Sequence, residues 1–231
     1  MPSPSSKPGR DSEQPRHSVV HVTDPRALRA LSHPTRMELV GLLRIEGPFT
    51  ATRAAELTGE SVASCSYHLR MLAKYGLVEE AEGGRGREKP WRATAKYTTW
   101  SDAFNTDSEV RVAAAEVLSA AVAERYFSQF SHAIETRRHL PQAWREAEWS
   151  GDDLIYLTAA ELVDLTEKIS ALVDQYAGRF HDPSRRPEGA ELVNLIRFAF
   201  RDRRYVPELR GPKGESDRRQ TEEQEQEEEQ P

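Results

Sequence analysis

Cysteine and long apolar runs are what this sequence has least of. It contains one cysteine, Cys65, among 231 residues, which excludes an internal disulfide and any zinc site built from several cysteines of one chain. Since no apolar run is long enough for a signal peptide or a membrane span, we expect a cytoplasmic protein that does not contact membranes. Hydrophobic residues make up only 37% of the chain and charged residues 30%, which indicates polar segments around a smaller folded core.

Both ends of the chain are strongly polar. Residues 1–19 carry almost no apolar side chain, so they are predicted to be a disordered N-terminal arm. Residues 210–231 are predicted to be a disordered acidic tail because they end in a nearly continuous run of Glu and Gln. The net charge is −6, but residues 215–231 hold eight acidic and two basic residues, whereas residues 24–100 hold twelve basic and nine acidic ones. The middle of the chain therefore has the sign of charge that attracts phosphates.

Two helices are predicted at the start of the folded part. The first spans 24–32, with Thr23 as its N-cap. The second begins at Pro34 and ends near Glu46, because Gly47-Pro48 cannot continue a helix.

The next two helices are predicted to form a helix-turn-helix. Thr50 can cap a short third helix, and Gly59 gives the backbone the freedom for a sharp turn into a fourth helix from Ser61 to Tyr75. Apolar side chains recur at intervals of three and four along the fourth helix, which predicts one buried face and one outward polar face. The predicted buried positions are Val62, Cys65, Leu69 and Leu72.

A β-hairpin is predicted after the fourth helix. Residues 77–80 have the pattern of a strand, 82–87 that of a flexible basic loop, and 90–94 that of the returning strand. Such a hairpin beside a helix-turn-helix is called a wing. Trp91 in the returning strand is expected to be structural, with its ring buried against the fourth helix.

These residues resemble the ArsR family of winged helix-turn-helix repressors. The resemblance is carried by His33-Pro34-Thr35-Arg36 and by Ser66-Tyr67-His68-Leu69-Arg70-Met71-Leu72, and it continues through Tyr75-Gly76-Leu77-Val78 and the basic wing. It implies a regulator that occupies promoter double-stranded DNA as a homodimer and represses transcription.

The sequence departs from the family where metal sensing is concerned. Metal-sensing members often use paired cysteines near the recognition helix, which is the fourth helix here, or His and Asp pairs in the terminal dimer helix. This chain has only Cys65, in the predicted buried face of that helix. Cys65 is interpreted as a small core residue, with a redox-active thiol as the alternative. His132 and His139 are seven residues apart but lack nearby supporting ligands. We therefore expect no metal and no cofactor.

The DNA-contacting residues are predicted from the placement of the fourth helix in the major groove. Arg70 and Lys74 are expected to contact phosphates, with guanine recognition as the alternative for Arg70. Arg85 and Arg87 are expected to enter or straddle the minor groove, the alternative being a solvated basic loop. His68 either contacts a phosphate or packs between helices with one ring nitrogen hydrogen-bonded. The candidates for base edges or the groove are Ser61, Ala63, Ser64, Ser66 and Tyr67.

The second half of the chain is predicted to begin with a long helix from Asp107 to about His139. Its apolar stripe needs a cover, which we expect to be a second copy of the chain, the alternative being the chain's own C-terminal region. A small β-α-β region is predicted to follow. It consists of a strand over 153–157, a helix capped by Thr158 with Glu161, and a strand over 192–200. The stripe comprises Val110, Ala114, Val117, Ala121, Val122, Phe127, Phe130 and Ile134.

The sequence as a whole predicts a mainly α (α+β) fold, with a winged helix-turn-helix domain over 20–100 and a dimerisation or effector region over 101–209. The predicted function is sequence-specific DNA-binding transcription regulation; a winged-helix module that binds another protein without specific DNA recognition is the alternative. No catalytic motif is visible, so we do not expect an enzyme. An unknown small-molecule effector, read by the second half, stays open. Trp144 and Trp149 are interpreted as core residues, with a ligand pocket as the alternative.

Overall fold

The computed structural model describes residues 19–83 and 88–202. The chain divides into two units, residues 1–188 and 189–231, and every helix and strand described here lies in the first. These elements are β1 (Val19–His21), α1 (Pro25–Leu31), α2 (Pro34–Glu46), α3 (Ala51–Thr58), α4 (Val62–Lys74), β2 (Val78–Glu80), β3 (Trp91–Ala93), β4 (Tyr97–Thr99), α5 (Glu109–Thr136), α6 (Gln142–Ala147), α7 (Ala159–Asp174) and α8 (Gly178–His181).

Helix boundaries follow local capping chemistry. Thr50 caps α3 by accepting a hydrogen bond from the Arg53 backbone N–H, and Gly59 ends that helix at a φ of +75°, where glycine is favoured. The N-cap predicted for α1 was wrong. Asp24, not Thr23, caps that helix, because its carboxylate accepts a hydrogen bond from the Arg26 N–H at 2.8 Å.

The hairpin forms as predicted, and it is extended by one bridge. β2 and β3 pair antiparallel, and Phe49 exchanges backbone hydrogen bonds with Trp91. A parallel pair of β1 with β4 was not predicted, and Val19, which the sequence placed in the disordered arm, is part of it. The rest of that arm and the acidic tail lie outside the described residues.

The core is built from the four N-terminal helices, the hairpin and the first half of α5. α1 packs along α5, which buries Ala114, Ala115 and Leu118. One hydrogen bond connects the residue after β4 to α5: the Trp100 Nε1–H donates to Ser119 Oγ at 2.8 Å, and the Ser119 hydroxyl in turn donates to the carbonyl one turn earlier in α5. Helix α4 contributes its buried side to this core, opposite to its outward face.

The largest difference from the sequence prediction lies in the second half. Helix α7 forms with the predicted capping box of Thr158 and Glu161, but the flanking segments 153–157 and 192–200 are not strands. A strand needs a neighbour to pair with its backbone, and neither segment has a strand partner among the described residues. Trp149 is not a core residue either, since its side chain is exposed, while Trp144 is half-buried.

Within the part of the chain that the structure describes, no helix has the length and apolar character needed to cross a membrane.

Candidate nucleic-acid interface

The outward face of α4 is a single row of side chains. Ala63, Tyr67, Arg70 and Lys74 follow one another at spacings of four, three and four, so they lie on one side of the helix, and all four are exposed. On the opposite side Cys65, Leu69 and Leu72 are fully buried. We call the first set the recognition row; it consists of Ala63, Tyr67, Arg70 and Lys74.

Three serines flank the recognition row. The Ser61 hydroxyl is exposed, but it also caps the helix by accepting a hydrogen bond from the Ser64 N–H at 3.1 Å. Ser64 and Ser66 are partly buried on either side of the row. The structure therefore brings all five groove candidates to one end or one face of α4.

The prediction was wrong for one residue of the buried face. Val62 is 46% exposed, although it lies three residues before the fully buried Cys65. Val62 is the first residue of α4, just after the turn at Gly59, and the core does not reach around this end of the helix. The Cys65 thiol lies deep in the core, 3.6 Å from the Thr58 hydroxyl oxygen, which supports its interpretation as a core residue.

His68 lies on the flank of α4 that faces α2. It is only 8% exposed, and its ring centroid is 4.6 Å from that of His33, the N-cap residue of α2. This position matches the packing alternative more closely than direct phosphate contact. The packing alternative also expected one ring nitrogen to be hydrogen-bonded. The buried Nδ1 does not make that hydrogen bond, since it has no partner among the described atoms.

Polar contacts fix the described ends of the wing, one to α3 and one across the hairpin. Thr52 on α3 donates a hydrogen bond to Glu88, which lowers the pKa of that carboxyl, and Lys89 forms an ion pair with Glu80 across the hairpin. The predicted wing residues Arg85 and Arg87 lie outside the described residues. Trp91 packs against the core, as expected of a structural residue, but its ring is only half-buried, and the helix that β3 mainly contacts is α2, not the predicted α4.

Arg44 is a residue that sequence reasoning missed. Its guanidinium donates to the Ala95 carbonyl at 3.1 Å and to the Thr98 hydroxyl at 2.7 Å, so it joins α2 to the segment that leaves the wing. Burial lowers the pKa of Arg44. In sequence it appears as an ordinary polar residue of an amphipathic helix, because its partners are more than fifty positions away.

The described residues, 19–83 and 88–202, contain no candidate metal centre. In these ranges no three His, Cys, Asp or Glu side chains lie close enough together to hold a metal ion.

Residues 31–81 match the family model of a helix-turn-helix domain. Among solved structures, the homodimeric winged helix-turn-helix DNA-binding domain (fragment 1–100) of Mb0332 from Mycobacterium bovis, described as a possible ArsR-family transcriptional regulator, is 19% identical with a TM-score of 0.29; the match covers 45% of this chain and 76% of that one. A mutant of ZitR from Lactococcus lactis is 17% identical with a TM-score of 0.28, over 62% of this chain and 75% of that one. No curated protein matches the chain. The order of helices and hairpin, together with the family model, identifies a winged helix-turn-helix, a DNA-binding module, in a chain whose motifs resemble those of ArsR regulators.

Proposed function

We propose that this protein is a sequence-specific regulator of transcription that binds double-stranded DNA as a homodimer and represses. The observation that carries the proposal is the recognition row, exposed along α4 while the other side of the helix is locked into the core. A helix held in this way can enter a major groove without unfolding any part of the domain. The sign of regulation rests on the resemblance to ArsR repressors.

The length of the recognition row fits a groove. At 1.5 Å per residue, Ala63 and Lys74 are separated by about 16 Å along the helix axis, whereas the major groove is about 12 Å wide. Tyr67 in the middle would therefore lie within the groove, while Arg70 and Lys74 reach bordering phosphates. Arg70 and Lys74 form no ion pair with a carboxylate of the described residues, so both charges are available to DNA.

Mobility shifts with genomic fragments test this function, followed by mapping of the bound sites. A two-fold dimer should select pseudo-palindromic sites whose half-sites are one helical turn apart, about 10–10.5 base pairs. Transcripts from such sites should rise when the gene for this protein is deleted. Absence of any shift at low salt would instead favour the protein-binding alternative.

Tyr67→Ala is expected to change the sequence preference rather than the general affinity. The Tyr67 side chain is 53% exposed in the middle of the recognition row, and it carries no charge that could contribute to counterion release. Selection of sites from a random duplex pool should give a relaxed preference at one or two positions per half-site, with an unchanged salt dependence. An identical preference for wild type and variant would remove Tyr67 from base recognition.

The dimer is supported by the C-terminal half of α5. Phe127, Phe130 and Ile134 follow at spacings of three and four, so they form a single apolar row, and each is at least 43% exposed. An exposed row of two phenylalanines and an isoleucine is unfavourable in water and favours burial against another surface. A second copy of the chain is the cover that fits the proposed two-fold recognition of DNA.

Phe127→Glu combined with Ile134→Glu is expected to dissociate the dimer. Each substitution removes apolar burial of about 1.5–3 kcal/mol and adds a charge, so the dissociation constant should rise on the order of 100-fold or more. Sedimentation equilibrium of the full chain measures it. Ser128→Glu is the control, since it adds one negative charge beside the row without removing an apolar side chain; equal oligomeric states of the wild type and both variants would argue against this interface.

A further inference from the structure

The contact between α2 and the recognition helix contains an unusual pair of histidines. His68 is the only polar side chain that the described part of the chain buries, and its ring lies 4.6 Å from the ring of His33 at an interplanar angle of 44°. The Tyr67 ring meets His68 edge-on at 5.3 Å. The pair thus lies directly beside the recognition row.

The surroundings of this pair disfavour a positive charge. Arg36, one turn into α2, acts on both rings, and Glu60 in the turn before α4 is the one carboxylate that opposes it. The pKa of His68 is lowered first by burial and then by His33 and Arg36, and the pKa of the more exposed His33 is lowered first by partial desolvation and then by Arg36. Buried Nδ1 of His68 and buried Nε of Arg36 both lack a hydrogen-bond partner.

We propose that the His33–His68 pair is a proton-sensitive latch, which holds the recognition helix against α2 while both rings are neutral and loosens it in mild acid. This inference rests on the proposed DNA-binding function. A neutral imidazole has one N–H, whereas an imidazolium has two that both need acceptors. Proton uptake from solvent by His68 would leave a buried charge beside Arg36 with an unpaired Nδ1–H, and opening the contact would hydrate it.

The sign and size of the effect follow from linkage. Because the pKa of His68 is lower in the closed arrangement than the ordinary 6.5, the closed form binds fewer protons than the open form. The contribution of the latch is therefore fully present above about pH 7 and is lost as the pH falls below 6.5. At pH 5.5 one ring with an open-state pKa near 6.5 shifts the equilibrium toward the open form by up to about tenfold.

Hydrogen exchange and DNA binding of the full chain at pH 7.5 and 5.5, at constant ionic strength, test the latch. Protection of the α4 amides, corrected for the intrinsic pH dependence of exchange, should fall by up to about tenfold at pH 5.5. The affinity for a genomic duplex that the protein shifts at pH 7.5 should fall over the same range. His68→Gln should abolish both pH dependences, and His33→Gln, which keeps the buried residue, should weaken them. His132→Gln, an exposed histidine of α5, is the control that should leave them unchanged.

The outcomes separate the two proposals. Unchanged α4 protection, or a DNA affinity that rises toward pH 5.5 in the wild type, would overturn the latch while leaving the regulator intact. Loss of α4 protection that persists in both His33→Gln and His68→Gln would also overturn it. If no duplex is bound at pH 7.5, the proposed function fails, and exchange at α4 alone then decides whether the pair responds to protons.

Discussion

Replacing Leu72 with alanine is expected to lower the free energy of unfolding by about 2–5 kcal/mol, through lost burial and the cavity that remains. The Leu72 side chain is fully buried on the inner side of α4, and its carbonyl accepts hydrogen bonds from the Tyr75 and Leu77 backbone N–H groups where the helix passes into the hairpin. The helix, its turn and the wing therefore meet at this residue. Urea denaturation followed by circular dichroism measures the change.

Val62→Ala in the same helix is the matched control. It also shortens an aliphatic side chain, but one that is substantially exposed, so the free energy of unfolding should change by no more than about 0.5 kcal/mol. A similar loss in both variants would mean that burial on the inner side of α4 does not stabilise the domain as the structure indicates.

The helices of the DNA-binding domain could be predicted because their determinants are local. The Thr50 cap, the glycine turn at Gly59 and the apolar spacing of α4 each lie within a few residues of the element that they define. The capping box at Thr158 is equally local, and it too was confirmed. Where two neighbouring residues compete for one cap, as Thr23 and Asp24 do, sequence alone did not distinguish them.

Features that depend on distant partners could not be predicted in the same way. The parallel pair of β1 and β4 joins residues 78 positions apart. No local turn motif connects these two strands, so the sequence gives no signal that they pair. Conversely, the alternating and apolar patterns of 153–157 and 192–200 suggested strands. Such a pattern fits one strand, but a strand also needs a second strand to accept and donate its backbone hydrogen bonds. The resulting error lies in the region for which the family resemblance offered no guide.

In the candidate site too, the features with local determinants could be predicted, whereas the feature that depends on distant partners could not. The spacing within α4 predicted that Tyr67, Arg70 and Lys74 point outward, because a helix with one apolar face must present the other. The ring contact between His33 and His68 depends on how α2 meets α4, which is a property of tertiary packing. Sequence reasoning could therefore name His68 as important without deciding what it touches.

Arg70→Gln combined with Lys74→Gln is expected to weaken DNA binding by about 10–100-fold at 0.1 M salt. If each cation neutralises one phosphate, each contributes about 0.9 to the slope of log affinity against log salt concentration, so the double variant should lower the magnitude of that slope by about 1.8. Both side chains are exposed, so the substitutions should leave the free energy of unfolding nearly unchanged. Fluorescence anisotropy with a fixed duplex between 50 and about 300 mM salt measures the slope.

The control for this experiment removes the same two charges elsewhere. Arg145→Gln with Lys168→Gln changes the net charge equally, but it acts on exposed side chains of α6 and α7, one of which is already paired with Asp164. Long-range attraction depends on total charge, whereas counterion release depends on phosphates that are touched, so only the first pair should alter the slope. Equal slopes for the two double variants would mean that α4 does not lie against the DNA backbone, since the recognition row would then contribute no more than any other cations of the chain.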